Sequence, residues 1–380
     1  MYIDLKNYEK AIEYFNKSIE LKPDYFYAYL NKGFLFVEEL NDYPKAIENF
    51  KKAAQISLEN GDLDKTLESY TQIYTTYGLM GDFKNTLEFL NKCIDYRPNN
   101  IDFLFERASL YSDNDYKNEA LIDYLKLLRI DDGKSYGVNN NIGLIYENYI
   151  MDYDKAIEFY SNEIDLYPSE TISYRNKAAV YHDHLNNDNM AIQTMNKAIE
   201  LDSVSSKNFV LRSSYYESSG DLNNSLNDLN KAIAIISSKA NYDNEYLADK
   251  YYNRARILTS SKNYSNAIKD WEKTFETDSS YLAHANYKIG SIYLNNFRDF
   301  ENAISYFSKS LDAQYWKPEL VLDLRAIAYA NQNNYDLALK DINKAIEFVP
   351  DQSSYYFTRL NINILSKDFE KAILDAKKTI

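Results

Sequence analysis

A single cysteine, Cys93, stands in the whole chain, so no disulfide can close within it. Proline and glycine are scarce, at 6 and 9 of 380 residues, which keeps loops short and leaves no room for linkers. No run is long or apolar enough to cross a membrane. The opening MYIDLKNYEKAI lacks the apolar core of a signal peptide, so a cytoplasmic location is expected. A basic excess is missing as well. The chain carries 43 Lys and Arg against 57 Asp and Glu, a net charge of −14, and so lacks the footprint of a nucleic-acid binder. Two readings of that acidity stay open, plain solubility and a preference for basic partners.

The residues that carry catalysis or bind metals are also thin on the ground. The histidines are His182, His184 and His284. His182 and His184 are two apart, so on a helix they point about 200° from each other and cannot share a metal. There is no Cys/His cluster, Gly-rich phosphate loop, nucleophile elbow or H-E-x-x-H pattern. We expect no enzyme active site, no cofactor and no metal.

What is present is a repeat. The stretch Asn334–Pro350, NYDLALKDINKAIEFVP, places Tyr335, Ala338, Ile342 and Ala345 at spacings of 3, 4 and 3, one face of a helix. Asn334 is a cap-type residue and Pro350 a stop. Near-copies recur as NYEKAI, DYPKAI, DFKNTL, DYKNEA, DYDKAI, NDNMAI, DLNNSL, NYSNAI, DFENAI, NYDLAL and DFEKAI. The small residues inside them run from Ala11 to Ala372, with steps of 34 to 36 residues apart from two of 40 and 42. Ahead of them lies a second helix pattern with a small central residue, as in Leu104, Ala108 and Tyr111 or Tyr174, Ala178 and Tyr181. Cys93 falls where Ala345 falls, a small core position. Tyrosine is abundant at 38, but Asn, Lys and Ile are common too, as an AT-rich coding sequence would produce, so the tyrosines alone signal no ligand.

This pattern resembles the tetratricopeptide-repeat family over essentially the whole chain. The residues that carry the resemblance are these triplets, the small residue after the turn, the large residue four later (Phe15, Phe50, Tyr160, Trp271, Phe307) and a small residue three beyond that. The resemblance implies an all-α, right-handed superhelical solenoid of antiparallel helix pairs. The first helix of each pair would line a concave groove and the second its convex back. We expect one solenoid over 1–380, with a lone second helix at 1–23 and ten repeats at about 24–58, 59–98, 99–132, 133–168, 169–203, 204–240, 241–280, 281–316, 317–350 and 351–380. The two long steps predict lengthened helices rather than inserted domains. The ends lack a polar capping helix, so the chain reads as a fragment of a longer array or as one whose open ends pair, self-association included.

The resemblance also implies where a ligand would lie, on the first helices. Asn31, Asn141, Asn176 and Asn253 occupy one equivalent position there, and an asparagine amide can both donate to and accept from a peptide bond. They form either a broken ladder for an extended peptide or a simple consequence of an Asn-rich composition. The chaperone-tail clamp of related co-chaperones is not found. The same face collects acids, among them Asp102, Glu106, Asp113 and Asp183, against the basic Arg175, Lys207, Arg256 and Lys288. That is either a steering field for a basic segment or a solvated polar face. The expected function is a non-catalytic scaffold that holds an extended or helical segment, basic in character, of another protein. Asn31, Glu106, Asn141, Arg175, Asn176, Asp183, Asn253 and Arg256 are the candidate contacts. The alternative is a targeting or regulatory region of a larger enzyme, such as a glycosyltransferase.

Overall fold

The structure, a computed structural model, describes residues 7–132 and 134–378. The first six residues of the helix expected over 1–23, residue 133 at an expected repeat boundary and the last two residues of the repeat expected over 351–380 lie outside the described residues. The chain forms two compact units, residues 1–185 and 186–380.

In the first unit a leading helix α1 (Tyr8–Leu21) is followed by four pairs. These are α2 (Phe26–Glu38) with α3 (Tyr43–Glu59), α4 (Leu63–Leu79) with α5 (Phe83–Tyr96), α6 (Ile101–Asp113) with α7 (Lys117–Asp131), and α8 (Val138–Ile145) with α9 (Tyr153–Leu166); α10 (Thr171–Ala179) ends the unit. The second unit begins with α11 (Asp188–Leu201) and continues with α12 (Ser206–Ser218) and α13 (Leu222–Ser237), then α14 (Asn244–Ser260) and α15 (Tyr264–Thr277). Next come α16 (Leu282–Ile292) and α17 (Phe300–Asp312), α18 (Pro318–Asn331) and α19 (Tyr335–Phe348), and α20 (Ser353–Leu365) and α21 (Phe369–Ala376). Among the described residues there is no strand. Within each unit the helices pack on their sequence neighbours, which makes each unit an all-α solenoid of antiparallel pairs.

The small residue of each marker decides how closely the helices approach. Ala46, Ala120, Ala156, Ser225, Ala267, Ala303 and Ala338 are all wholly buried. Opposite them the first helix also carries a small residue, and in three pairs it is glycine. A Cβ on Gly33 would stand 2.4 Å from the Phe50 ring, one on Gly143 2.6 Å from Tyr160, and one on Gly290 2.8 Å from Phe307. The hydrogen atom of glycine is therefore what admits each buried ring.

Two details of helix length follow from the sequence. The extra residues of the long steps lengthen helices: α3, α4 and α14 have 17 residues each, and α13 has 16. From Gly143 to Ala156 and from Gly290 to Ala303 the chain needs 13 residues, where Ala108 to Ala120 needs 12. These two first helices absorb the additional residue in a wider π-turn, at Tyr146–Ile150 after α8 and at Tyr293–Phe297 after α16, whereas Gly33 to Ala46, also 13 residues, takes it in the turn after α2. A third π-turn, Val180–His184, extends α10.

In four helices the stop acts one residue ahead of a proline. Helices α1, α5, α9 and α19 end two residues before Pro23, Pro98, Pro168 and Pro350. The intervening Lys22, Arg97, Tyr167 and Val349 have ψ between 64° and 90°, because the proline ring bars its predecessor from the helical region. Most second helices start at an aspartate or asparagine whose side chain accepts the backbone N–H three residues on, as Asp42 does from Lys45 at 3.2 Å and Asp299 from Asn302 at 3.1 Å. Asn334 departs from the expectation drawn from its sequence. It sits at the cap with φ −91° and ψ 70°, like the others, but its side chain makes no capping bond, so the difference lies in side-chain rotation alone.

Directly before the cap stands a residue in the left-handed region. Gly81 and Gly220 take it without strain, with φ of 70° and 83°. Met151, Lys262 and Arg298 are held there at 61°, 61° and 55°. A side chain in that region costs about 1 kcal/mol or more. Met151 is 67% exposed and so gives up little packing. Met151→Gly is therefore expected to raise the stability of the first unit by up to about 1 kcal/mol in urea unfolding. A variant no more stable than the wild type would show that the turn bears no strain.

Candidate functional site

Polar side chains on the first helices divide into those spent inside the fold and those that stay at the surface. Arginines dominate the first class. Arg107, Arg212, Arg254, Arg325 and Arg359 each stand 16 residues before an aspartate on the paired second helix. In the best-formed case Arg212 donates through Nε and Nη2 to the two carboxylate oxygens of Asp228, both at 2.7 Å. Its Nη1 reaches Asn196 on the preceding helix α11, also at 2.7 Å. Asn91, Asn230, Ser308 and Asn343 play the part of Asn196 for the other four. One guanidinium thus ties three consecutive helices together. Reading the sequence for a groove passed over these residues, although their signal is regular: arginine directly precedes the central residue of the first-helix pattern, and aspartate follows the small marker residue by three.

The asparagines expected to form a ladder are placed variously. Asn31 is exposed on α2. Asn141 on α8 donates to the Tyr124 hydroxyl of α7 at 3.1 Å. Asn176 on α10 donates to Asn140, not Asn141, at 2.8 Å, and Ser173 joins it at 3.1 Å. Asn253 on α14 donates to Asp249, one turn earlier, at 3.4 Å. The charged candidates also differ in their freedom. Arg256 is gripped by both carboxylate oxygens of Glu217 on α12, at 2.5 and 2.7 Å. Arg175 donates to Thr171 at 2.8 Å. Glu106 on α6 is exposed, as are Asp102 and Asp113 on the same helix. It stands near the half-buried Tyr74, whose hydroxyl is pushed up to about 12 by burial first and by the Glu106 charge second. Asp183 is exposed in the π-turn after α10, with its carboxylate 3.7 Å from His182. His184 leaves that turn to stack on Tyr153, ring centroids 4.2 Å apart, with its Nε2 3.6 Å from the buried Glu147.

A feature of the second unit was not foreseen. Tyr252, Tyr281, His284, Tyr287 and Tyr315 form one cluster of rings, with Tyr287 and Tyr315 stacked at 5.0 Å and His284 5.6 Å from Tyr252. His284 is held down at about 4 by burial and by Lys288, and is neutral at physiological pH. One repeat on, burial raises Asp323, whose Oδ1 has no hydrogen-bond partner. The signal in the sequence was Tyr252 and Tyr287, aromatic at the same place in successive first helices. Among the described residues no group of three or more His, Cys, Asp or Glu is placed to hold a metal, and no helix is long and apolar enough to cross a membrane.

Comparison with known families decides what these pairs are. The model of the TPR repeat matches residues 1–38, and that of the tetratricopeptide repeat matches 172–204 and again 283–315. The chain is a tetratricopeptide-repeat protein. It is similar to a TPR repeat-containing protein of Methanocaldococcus jannaschii, with 22% identity over 96% of this chain and 70% of that protein. It is also similar to BBSome complex member BBS4 of Bos taurus, 30% identical over 38% of this chain and 26% of the relative. Among solved structures, the C-terminal part of a TPR repeat-containing protein from Cytophaga hutchinsonii shares the fold. Its TM-score is 0.55 at 19% identity, covering 65% of this chain and 95% of that one. Tetratricopeptide repeats generally mediate protein–protein interaction and are typically non-enzymatic. In this tetratricopeptide-repeat protein the Arg–Asp pairs take five first-helix guanidinium groups into the fold.

Proposed function

We propose that this protein is a non-catalytic scaffold that holds a segment of a partner protein against the exposed faces of its first helices, and that the first unit prefers a basic segment. One observation carries this reading. On α6 the guanidinium of Arg107 is turned inward onto Asp123 at 2.8 Å, while Asp102, Glu106 and Asp113 of the same helix face solvent. The helix thus uses its positive charge for folding and displays its negative charge. A lysine or arginine arriving there gains steering and charge-assisted hydrogen bonds. Asn141 and Asn176 add amides to the face, and a bound peptide would exchange their present bonds for its own. The bovine relative, itself named as a member of a complex, supports a role in assembly.

The test is fluorescence polarisation with a short fluorescein-labelled lysine–glycine peptide. The double substitution Asp102→Lys and Glu106→Lys is expected to weaken binding about tenfold at about 50 mM salt, and the difference to shrink as screening rises toward about 300 mM. Equal binding by the wild type and the variant at low salt would remove the acidic face from the proposal.

A further inference from the structure

A cleft of about 680 Å³ lies between α15, α16 and α17 of the second unit. It is bounded by two second helices and shares no residue with the α6 face. Asn286 lines it and is 1% exposed. The Asn286 amide donates through Nδ2 to the Leu282 carbonyl at 2.8 Å, but its Oδ1 has no hydrogen-bond partner. A buried acceptor left unmet is costly, and proteins seldom retain one without a use for it. The walls of the cleft are of two kinds. Phe275, Leu282 and the ring of Tyr306 are apolar, while Glu272, Glu276 and Asp312 bring three carboxylates; Lys309 is the cation among the lining residues, and Glu276 also holds the exposed Lys273 at 2.6 Å. Lys309 lies over the Tyr306 ring at 4.5 Å, and the Tyr306 hydroxyl donates to Glu272 at 3.0 Å.

The cleft has a cause in the sequence. Four residues before the small first-helix residue, other pairs carry a large side chain: Leu104, Phe209 and Leu322 are buried there. Asn286 takes this place ahead of Gly290 and puts an amide where an apolar side chain would pack. The substitution occurs again in the first unit. Asn139 stands four residues before Gly143 and lines a cleft of about 530 Å³ between α7, α8 and α9, with Asp132 and Asp165 among its walls. Two clefts at corresponding places share an asparagine, apolar walls and acids.

We infer that the Asn286 cleft is a receptor for an arginine side chain of a partner polypeptide. The guanidinium donates to Asn286 Oδ1 and to the carboxylates at the rim, and the methylene stem lies along Phe275 and Leu282. Several acceptors around one cleft suit a rigid fork of donors better than a point charge, and the excess of carboxylates excludes an anion. The cleft neither needs nor uses the acidic face of α6, so either reading can fail alone.

The experiment titrates the full chain with the capped tripeptide acetyl-Gly-Arg-Gly-amide and with its neutral citrulline counterpart, followed in amide TROSY spectra. The arginine peptide is expected to give saturable shifts at the Asn286 side-chain amide and the neighbouring backbone, and citrulline to bind about tenfold more weakly. Asn286→Leu leaves the charge unchanged and installs a residue that Leu104 and Leu322 already show to be compatible with the repeat. It is expected to weaken binding at least about tenfold. Should that variant melt early, Glu276→Gln, which leaves the interior untouched, is expected to weaken binding at least about threefold. The inference is overturned if Asn286→Leu or, in its place, Glu276→Gln binds like the wild type. Unsaturable shifts spread over the acidic surface, or equal binding of citrulline, overturn it as well.

Discussion

Asp228→Ala is expected to lower the stability of the second unit by about 3–5 kcal/mol, a large share of what holds a domain of this size together. Asp228 is 1% exposed, and its partner Arg212 shows 13% of its side chain. Removing the carboxylate leaves the guanidinium inside the helix pair with only Asn196 to receive its donors. A buried cation stripped of its counter-charge must either break open the pair or remain unsolvated, and both are expensive. Removing both ends should behave differently. Arg212→Met combined with Asp228→Leu takes away the cation together with the anion, and is expected to recover most of the loss. Urea unfolding of the two variants separates these outcomes. A loss below about 1 kcal/mol for Asp228→Ala would mean that water reaches Arg212 and that the network is decorative. The same contrast is open to test at Arg254 with Asp270 and at Arg325 with Asp341, which repeat the geometry.

Phe307→Ala is the second large effect, at about 3–5 kcal/mol. The ring is fully buried and lies so close to Gly290 that a Cβ there would sit 2.8 Å from it. The neighbouring backbone cannot close the hole, since α16 and α17 already meet closely at Gly290 and the wholly buried Ala303. The cost is thus lost transfer energy plus an uncollapsed cavity. Gly290→Ala alone is expected to cost about 1–3 kcal/mol by crowding the ring. Combined with Phe307→Leu, the added methyl group should occupy part of the space vacated, so the double variant is expected to be more stable than the two single effects predict. Strict additivity would contradict the proposed interlock between glycine and ring.

Much of the fold was legible because its determinants are local. The eleven small marker residues, from Ala11 to Ala372, are buried without exception. Their role depends on size and on a 3.6-residue period, both of which can be read along the chain. The prolines stop their helices for an equally local reason. The candidate ligand residues were harder to read. Arg256 looked free in sequence, but Glu217, on the previous first helix and 39 residues earlier, holds it. Asn176 meets Asn140 rather than Asn141, a difference of one residue that the rotation of α8 decides. The ring cluster around His284 draws on α14, α16 and the connections before α16 and after α17, and the Asn286 cleft draws on three helices, so no single stretch of sequence contains either.

By itself, then, the sequence determined the repeat, the helix pairs, their caps and stops, and the small residues at which they touch. These are set by backbone sterics and side-chain volume, which act within one helix or between sequence neighbours. Only the tertiary structure decided which polar groups are spent on the fold and which remain. Arg107 turns inward to Asp123 while Glu106 beside it stays in water, and Asn286 is buried with its oxygen unmet. Hydrogen bonds and ion pairs act over about 3 Å, so their partners depend on helix offsets and rotations that emerge only once the pairs are packed.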